Sequence, residues 1–399
     1  MRKVLVVGII LLSALFLSAC AGPQGPAGAS GPPGPVGPIG PQGPAGSAGG
    51  GATYVGSATC AGCHKDLADS YMKTGHASAL TKIAGGQAPQ YPFTEVANPP
   101  DGWTWADISY VIGGYNWQAR FVDKNGYIVT DKPGATSPDN QYGNQYNFAN
   151  TVLNTEAGWV SFHAGEANLP MDCGACHTTG FQPNGNQDKL KGLVGTWAAP
   201  GVGCEACHGP GSLHVASPYG THMTIDRSSE ACGRCHTTGD MTKVAAADGF
   251  IDQRAQYDEL FQSKHITLQC VICHDPHKGV VQLRQANVNT TRTSCENCHF
   301  KEAQNQRVAV HQAMGCLNCH MPRLEKNAVA DLARFTGDAR AHLMAIDPAQ
   351  QGQFSQDGLT SLSQISLDYA CKSCHTPDTD RAMPDEALVP MATDYHAAP

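Results

Sequence analysis

Cys270-Val-Ile-Cys-His-Asp-Pro-His277 contains the pattern that decides the fold, Cys-x-x-Cys-His, with a further histidine three residues later. The five-residue pattern occurs eight times in the 399 residues of the chain. We number these motifs site 1 to site 8 in chain order, at residues 60–64, 173–177, 204–208, 232–236, 270–274, 295–299, 316–320 and 371–375. The motifs contain every one of the 17 cysteines except Cys20.

The spacing within each motif fits covalent haem attachment. Two thiols three positions apart can form thioether bonds to the two vinyl groups of one haem, and the next histidine can then bind the iron from below. We therefore predict eight c-type haems. The predicted haem-bearing cysteines are Cys60, Cys63, Cys173, Cys176, Cys204, Cys207, Cys232, Cys235, Cys270, Cys273, Cys295, Cys298, Cys316, Cys319, Cys371 and Cys374. The predicted proximal ligands are His64, His177, His208, His236, His274, His299, His320 and His375.

Other uses of paired cysteines explain the pattern less well. A structural zinc site does not require a histidine directly after each pair, and a thioredoxin-like pair occurs once, beside a βαβ unit. An iron–sulfur protein has tighter cysteine runs, and a disulfide scaffold has no reason to repeat the histidine.

Nine histidines lie outside the motifs and face eight predicted irons. We predict that eight of them are distal iron ligands: His76, His163, His214, His265, His277, His311, His342 and His396. His222 is the spare. With two imidazoles each, the haems are expected to be low-spin relays with no open position, whereas methionine ligation would raise the potential.

The position of four of these histidines suggests how they bind. His265 and His311 each lie five residues before a haem site, so they are expected to share a role. His214 and His277 follow sites 3 and 5 too closely to cross to the opposite face of the same haem. Each is therefore predicted to bind the iron of a neighbouring haem.

The first residues predict export and lipidation. Residues 1–19 read as a signal peptide with a basic start and an apolar run of 14 residues, too short for a comfortable membrane span. They end in Leu17-Ser18-Ala19-Cys20, which looks like a bacterial lipobox, so Cys20 is the predicted lipidation site. Ala21 resembles the outer-membrane sorting pattern. The alternative is an ordinary secretory peptide with an incidental cysteine.

A collagen-like stalk follows the lipobox within residues 20–50. Glycine occupies every third position from Gly22 to Gly49, with many prolines between. That repeat is typical of a collagen triple helix, which would make a homotrimer, and it also fits a single-chain polyproline II spacer. Either would hold the following domain roughly 80 Å from the anchor, at about 3.1 Å per residue.

Residues 51–399 are expected to form one haem-bearing domain of short helices and coil. Tyr71 to Leu80 reads as a short helix that carries His76. The residues at about 90–165 predict an insertion with a small β structure near 105–131, in which Asn125-Gly126 joins two strand-like runs. This insertion is expected to pack against the haems; a docking surface is the alternative.

Several segments resemble known multihaem cytochromes. Residues 54–64 with 70–76, 204–214, 270–277 and 316–323 are similar to the group related to cytochrome c-554. The resemblance implies stacked haem pairs in a mainly α and coil fold. The group includes electron carriers, respiratory partners and some reductases.

Two functions remain open at this point. The first is an electron conduit at the outer membrane, on the cell surface or periplasmic face, that serves redox partner proteins, an extracellular acceptor or further copies in a homopolymer. The second is a reductase of a small nitrogen or sulfur compound such as nitrite, hydroxylamine or tetrathionate. The histidine supply and the absence of a Cys-x-x-Cys-Lys motif favour the conduit. The net charge of −8 argues against nucleic acid as a partner.

Overall fold

The strand-rich stretch before site 2 folds as an antiparallel meander. Its strands β1 to β5 pair in chain order and span Leu80–Lys82, Ile108–Gly113, Gln118–Asp123, Gln145–Asn147 and Gly158–Val160. The chain is represented by a computed structural model that describes residues 51–306 and 308–397. The predicted signal peptide, Cys20 and the collagen-like stalk lie outside the described residues.

Both faces of this sheet are covered by apolar side chains. A bulge between Ile108 and Tyr110 shifts the register of β2, so these two side chains face opposite sides of the sheet. Tyr110 packs in a cluster with Leu193 and Trp197, and Cys173 of site 2 lies against that cluster. The sheet therefore forms one wall of site 2.

The expected hairpin at Asn125-Gly126 is only partly formed. Gly126 has a φ of 90°, and Val122 and Ile128 form a single bridge after the turn. Tyr127 instead bridges to Pro170, so the predicted strand at 127–130 does not continue the sheet.

A second five-stranded sheet lies in the C-terminal half, where the sequence predicted only helices and coil. The two-stranded sheet of β6, Thr178–Thr179, and β7, Ala199–Pro200, precedes it in the chain. The strand order is β11-β10-β9-β8-β12, and β9 pairs with β10 in parallel. The strands are β8 Val244–Ala247, β9 Phe250–Asp252, β10 Glu325–Asp331, β11 Thr336–Ala339 and β12 Thr360–Ser361.

The helices of the described residues are short. They are α1 Ser57–Ala61, α2 Lys65–Tyr71, α3 Gly174–His177, α4 Cys204–His208, α5 Ser212–Ala216, α6 Ser229–Gly233, α7 Gln256–Gln262, α8 Cys270–Cys273, α9 Val280–Gln285, α10 Phe300–Gln304, α11 Ala309–Met314, α12 Leu317–His320, α13 Leu367–Ala370 and α14 Asp385–Thr393. Within residues 51–306 and 308–397, no helix is long and apolar enough to cross a bilayer.

Two expectations about secondary structure differ from the fold. The helix α2 ends at Tyr71, so the helix expected over Tyr71 to Leu80 is not formed. His76 lies in a turn that leads into β1. The description as mainly α and coil holds only loosely, because three sheets accompany the helices. Apolar side chains from the second sheet, including Phe250 and Ile251, pack with Leu343 and Tyr369 in a core of their own.

Candidate functional site

Each Cys-x-x-Cys-His motif folds as one helical turn. In site 1 the backbone N–H of His64 donates to the carbonyl of Cys60 at 2.9 Å, and in site 7 His320 donates to Cys316 at 2.9 Å. Because side chains three and four positions apart lie on one face of a helical turn, both thiols and the imidazole can reach one ligand. None of the sixteen motif cysteines forms a disulfide with another described cysteine. This geometry fits a haem held by two thioether bonds.

Seven of the eight motif histidines face a second imidazole from elsewhere in the chain. An iron bonded to two imidazole nitrogens at about 2 Å each would separate the ring centroids by about 6 Å. The observed pairs are His64–His214 at 6.2 Å, His236–His76 at 5.9 Å, His208–His277 at 6.2 Å, His299–His265 at 5.8 Å, His274–His342 at 6.1 Å, His375–His311 at 6.2 Å and His320–His396 at 6.0 Å. The residues present therefore fit six-coordinate haem iron at these seven sites.

In these imidazole pairs, the histidine opposite a motif histidine comes from the neighbourhood of a different site in the chain. His214 lies opposite the histidine of site 1, and His277 lies opposite that of site 3, so neither faces its own motif. His265 precedes site 5 and faces site 6, while His311 precedes site 7 and faces site 8. In both matching sequence contexts the histidine thus faces the second site after it in the chain, not the first.

The second nitrogen of many of these imidazoles has a backbone acceptor. The Nδ1 atoms of His208 and His320 lie 2.8 Å from the carbonyl oxygens of Thr224 and Met344. His177 Nδ1 lies 2.8 Å from the carbonyl oxygen of Ala79. Such contacts fix the ring orientation and leave Nε2 for a metal.

Burial keeps two of the paired imidazoles in their metal-binding form. Burial lowers the pKa of His76 to about 4, with a further contribution from His236 opposite. Burial likewise lowers the pKa of His274 to about 4, and the nearby His342 and His236 add to the effect. Neutral imidazole is the form that binds iron, so both rings are ready for a metal at neutral pH.

Site 2 differs from the other seven. Among the described residues, no imidazole ring lies opposite His177 at the distance seen in the other pairs. His163, the distal ligand that the sequence leaves for this site, is about half exposed, and its Nδ1 lies 2.9 Å from Glu166 Oε1. The spare His222 is exposed. The structure therefore does not bring His163 to a motif histidine.

A buried guanidinium lies near site 2 and was not singled out from the sequence. Arg120 interacts electrostatically with Cys173 and His177. Its Nε donates to Gln145 Oε1 at 2.7 Å, and its Cζ lies 3.5 Å from the ring centre of Phe162. Burial lowers the pKa of Arg120 to about 10, which still leaves it charged at neutral pH. Within the described residues no carboxylate forms an ion pair with it.

Thiol contacts link neighbouring sites directly. Cys60 of site 1 interacts with Cys204 of site 3, and Cys176 of site 2 interacts with Cys235 of site 4. Site 4 meets site 5 through Cys232 and Cys270, and site 6 meets site 7 through Cys295 and Cys316. Electrostatic interactions between further cysteines join site 3 to site 4, site 5 to site 6, and site 7 to site 8. All eight sites thus belong to one connected set.

Two serines make the same hydrogen bond between neighbouring sites. Ser57 Oγ accepts from the backbone N–H of Cys204 at 3.2 Å, and Ser229 Oγ accepts from that of Cys270 at 3.3 Å. Each serine precedes the first cysteine of its own site by three residues. This shared offset is a sequence signal for the pairs formed by sites 1 and 3 and by sites 4 and 5.

Comparisons with known proteins agree with this geometry. Residues 146–209, which include sites 2 and 3, match the family model of cytochrome c554 and c-prime. The octahaem sulfite reductase MccA of Wolinella succinogenes is similar in structure, with a TM-score of 0.58, 18% identity, and coverage of 86% of this chain and 71% of that one. The outer cell wall cytochrome OcwA is also similar, with a TM-score of 0.50, 18% identity, and coverage of 86% and 87%.

The fold is that of the multihaem cytochromes. Together with the repeated motif geometry, these likenesses support c-type haem as the cofactor. Among curated protein sequences, none matches this chain significantly.

Proposed function

We propose that this protein is an octahaem c-type cytochrome that carries electrons at the outer membrane. The observation that supports this most strongly is the set of seven imidazole pairs with ring centroids 5.8–6.2 Å apart. Iron held by two imidazoles has no position for substrate and exchanges electrons only. Bound haem supplies the one-electron chemistry, and the chain supplies its ligands, spacing and surroundings.

The contacts between sites define a route for the electrons. Sites 1, 3, 4, 5, 6, 7 and 8 follow one another through thiol contacts and electrostatic interactions between thiols, and site 2 joins this route beside site 4. Electrons entering at site 1 or site 8 would therefore pass along one chain of haems. Site 2 forms a side branch through Cys176 and Cys235.

The location belongs to the same proposal. Lipidation at Cys20 would anchor the protein, and the glycine-repeat stalk would carry the haem domain away from the membrane. The net charge of −8 favours cationic redox partners or mineral acceptors. Self-association through the stalk or the haem domain would extend the route between copies.

A second function is favoured by site 2. An iron bound there by His177 alone would keep a position for a small molecule, and the buried guanidinium of Arg120 lies close enough to interact with that histidine. A fixed positive charge without a carboxylate partner suits an oxyanion. Nitrite and tetrathionate are oxyanion candidates, the likeness to a sulfite reductase adds sulfite, and hydroxylamine is an uncharged candidate that Arg120 does not favour. In this reading the other seven haems deliver electrons to site 2.

One set of measurements on the full-length protein separates these functions. Mass spectrometry should find eight haem additions on the mature chain. Electron paramagnetic resonance should find low-spin signals for seven haems, and carbon monoxide should bind at most one. Turnover of any of the four compounds at enzyme-like rates would replace the conduit by the reductase. Fewer than eight haems would contradict the octahaem assignment.

A further inference from the structure

Two carboxylates with no exposure to solvent lie between sites 4 and 5. Glu259 belongs to α7 and Glu325 begins β10, and both side chains are fully buried. One oxygen of each carboxylate and one ring nitrogen of His342 all lie within 4.8 Å of one another. Burial raises the pKa of both carboxyl groups, to about 8 for Glu325.

The first connection from this cluster leads to site 4. The Nε2 amide of Gln256 donates to Glu325 Oε2 at 2.6 Å. The Oε1 atom of the same glutamine lies 3.0 Å from Nδ1 of His236, the motif histidine of site 4. Since Oε1 can only accept, the imidazole donates, and one side chain joins this histidine to Glu325.

The second connection leads to site 5. The backbone N–H of His342 donates to Glu259 Oε2 at 2.5 Å, which places its ring beside the cluster. That ring lies opposite His274, with centroids 6.1 Å apart, and its Nδ1 is 3.7 Å from Glu325 Oε1. His342 Nδ1, Glu325 Oε1 and Glu259 Oε1 are all buried without a hydrogen-bond partner in the described chain. A small movement of Glu325 toward His342 would let its Oε1 accept a hydrogen bond from Nδ1 of the imidazole.

No other paired imidazole in the described part of the chain has a fully buried carboxylate beside Nδ1. Asp275 lies 3.8 Å from His277 and Glu302 lies 3.9 Å from His299, but both carboxylates are partly exposed. His208, His320 and His396 face backbone carbonyls instead. The environment of His342 is therefore distinct.

We propose that Glu325, held by Gln256 and Glu259, lowers the reduction potential of the haem at site 5. A hydrogen bond from an axial imidazole to a carboxylate makes the ring a stronger electron donor, which stabilises ferric iron relative to ferrous iron. Low dielectric makes that interaction stronger than at an exposed site. The inference rests on the proposed function, because it needs His274 and His342 to bind one haem.

The same bridge ties two neighbouring haems together. Gln256 carries the hydrogen-bond chain from Glu325 to His236, and Glu325 Oε1 lies 3.7 Å from His342 Nδ1, so one carboxyl group stands next to axial ligands of sites 4 and 5. The electron passes between the haems, and no bond to Glu325 is made or broken. Site 5 is thereby held at a lower potential than it would have without Glu325.

The test is a potentiometric titration of the full-length protein and its Glu325→Gln variant at one fixed pH above 8, because burial raises the pKa of Glu325 to about 8. The variant keeps the shape and the contact with Gln256 but removes the anionic acceptor. We expect one resolved step to shift by about tenfold in favour of the ferrous state, which is about 59 mV for a one-electron couple. The low-spin signal of the same haem should change in electron paramagnetic resonance.

Asp338→Asn is the matched control. Asp338 is buried and accepts from the backbone N–H groups of Asn327, Ala328 and Val329, without contacting an imidazole. Because Asp338 also interacts electrostatically with Glu325, its variant should shift the step of site 5 by less than Glu325→Gln does. Equal shifts in both variants, or no shift in Glu325→Gln, would overturn the proposal. If Glu325→Gln does not incorporate haem, Glu259→Gln decides instead and should shift the same step in the same direction.

Elemental analysis gives the last discriminating result. A stoichiometric divalent cation that is present in the wild type and lost in Glu325→Gln would make this cluster a metal site and overturn the tuning role. The proposed function is tested separately by the wild type alone. Fewer than eight haems, or no bis-imidazole signals, would contradict that function before any variant is compared.

Discussion

The rings of His208 and His277 lie 6.2 Å apart and within 2° of parallel. His208 belongs to site 3, whereas His277 follows site 5 in the chain. The loop that follows the motif of site 5 therefore supplies the imidazole opposite the motif histidine of site 3. In the same way, the segment that follows site 7 supplies His342 to site 5.

His277→Ala should open the iron of site 3. Removing the second imidazole leaves His208 as the one protein ligand, so one low-spin signal should be lost and a high-spin signal gained. Carbon monoxide binding should rise by one equivalent per protein. His222→Ala removes an exposed histidine and should change none of these quantities. Equal spectra for His277→Ala and the wild type would remove His277 from the ligand set.

The angles between paired imidazole planes predict two kinds of low-spin signal. The planes of His208–His277 and His64–His214 are nearly parallel, at 2° and 18°. Those of His311–His375 are nearly perpendicular, at 81°. Because plane orientation sets the splitting of the iron d orbitals, electron paramagnetic resonance of the oxidised protein should resolve both classes. A single class of signal would contradict these ligand planes.

The wild-type protein should contain one haem that binds external ligands, and it should be the haem of site 2. His163→Ala should leave that binding unchanged, because His163 contacts Glu166 rather than a motif histidine. Arg120→Gln should weaken the binding of nitrite or sulfite while carbon monoxide, which is neutral, binds as before. If His163→Ala instead raises carbon monoxide binding by one equivalent, His163 is the distal ligand that the sequence predicts.

Much of the fold was foreseeable from local patterns, and the misses have physical causes. The eight motif turns follow from residue spacing alone. The second sheet was missed although Asp248-Gly249, with φ values of 54° and 78°, is a strong hairpin signal between β8 and β9. Short strands such as Phe250–Asp252 carry too few residues to show alternation.

The ligand pairs could be predicted as a set but not one by one. Composition indicates that the extra histidines serve irons, since their number nearly equals that of the motifs. Which ring faces which motif depends on the path of the chain in three dimensions, as with His396 and His320. For the same reason the role of Arg120 could not be predicted. Arg120 lies far in sequence from Cys173 and approaches it only through the packing of the first sheet.

Glu205→Gln should destabilise the start of the haem domain. Glu205 is buried, and its carboxylate accepts from the backbone N–H groups of Val55, Gly56 and Gly211 at 2.8–2.9 Å. A neutral amide places a donor where an acceptor is needed, at a cost of about 1–3 kcal/mol. Denaturant unfolding should show a lower midpoint with an unchanged slope. Glu156→Gln alters an exposed carboxylate and should leave the midpoint in place.

Cys20→Ala should release the protein from membranes. The lipobox-like residues 17–20 predict acylation of this thiol, and the predicted apolar segment before it is removed on cleavage. Several acyl chains on one residue would anchor firmly, whereas a single chain binds only marginally. Fractionation should find the wild type with membranes and the variant in the soluble fraction. Deletion of residues 22–49 should keep membrane attachment, and its solution mass separates the two stalk hypotheses: a trimer that becomes a monomer requires a triple helix, and an unchanged monomer leaves a single-chain spacer. Equal membrane attachment of wild type and Cys20→Ala would contradict lipidation.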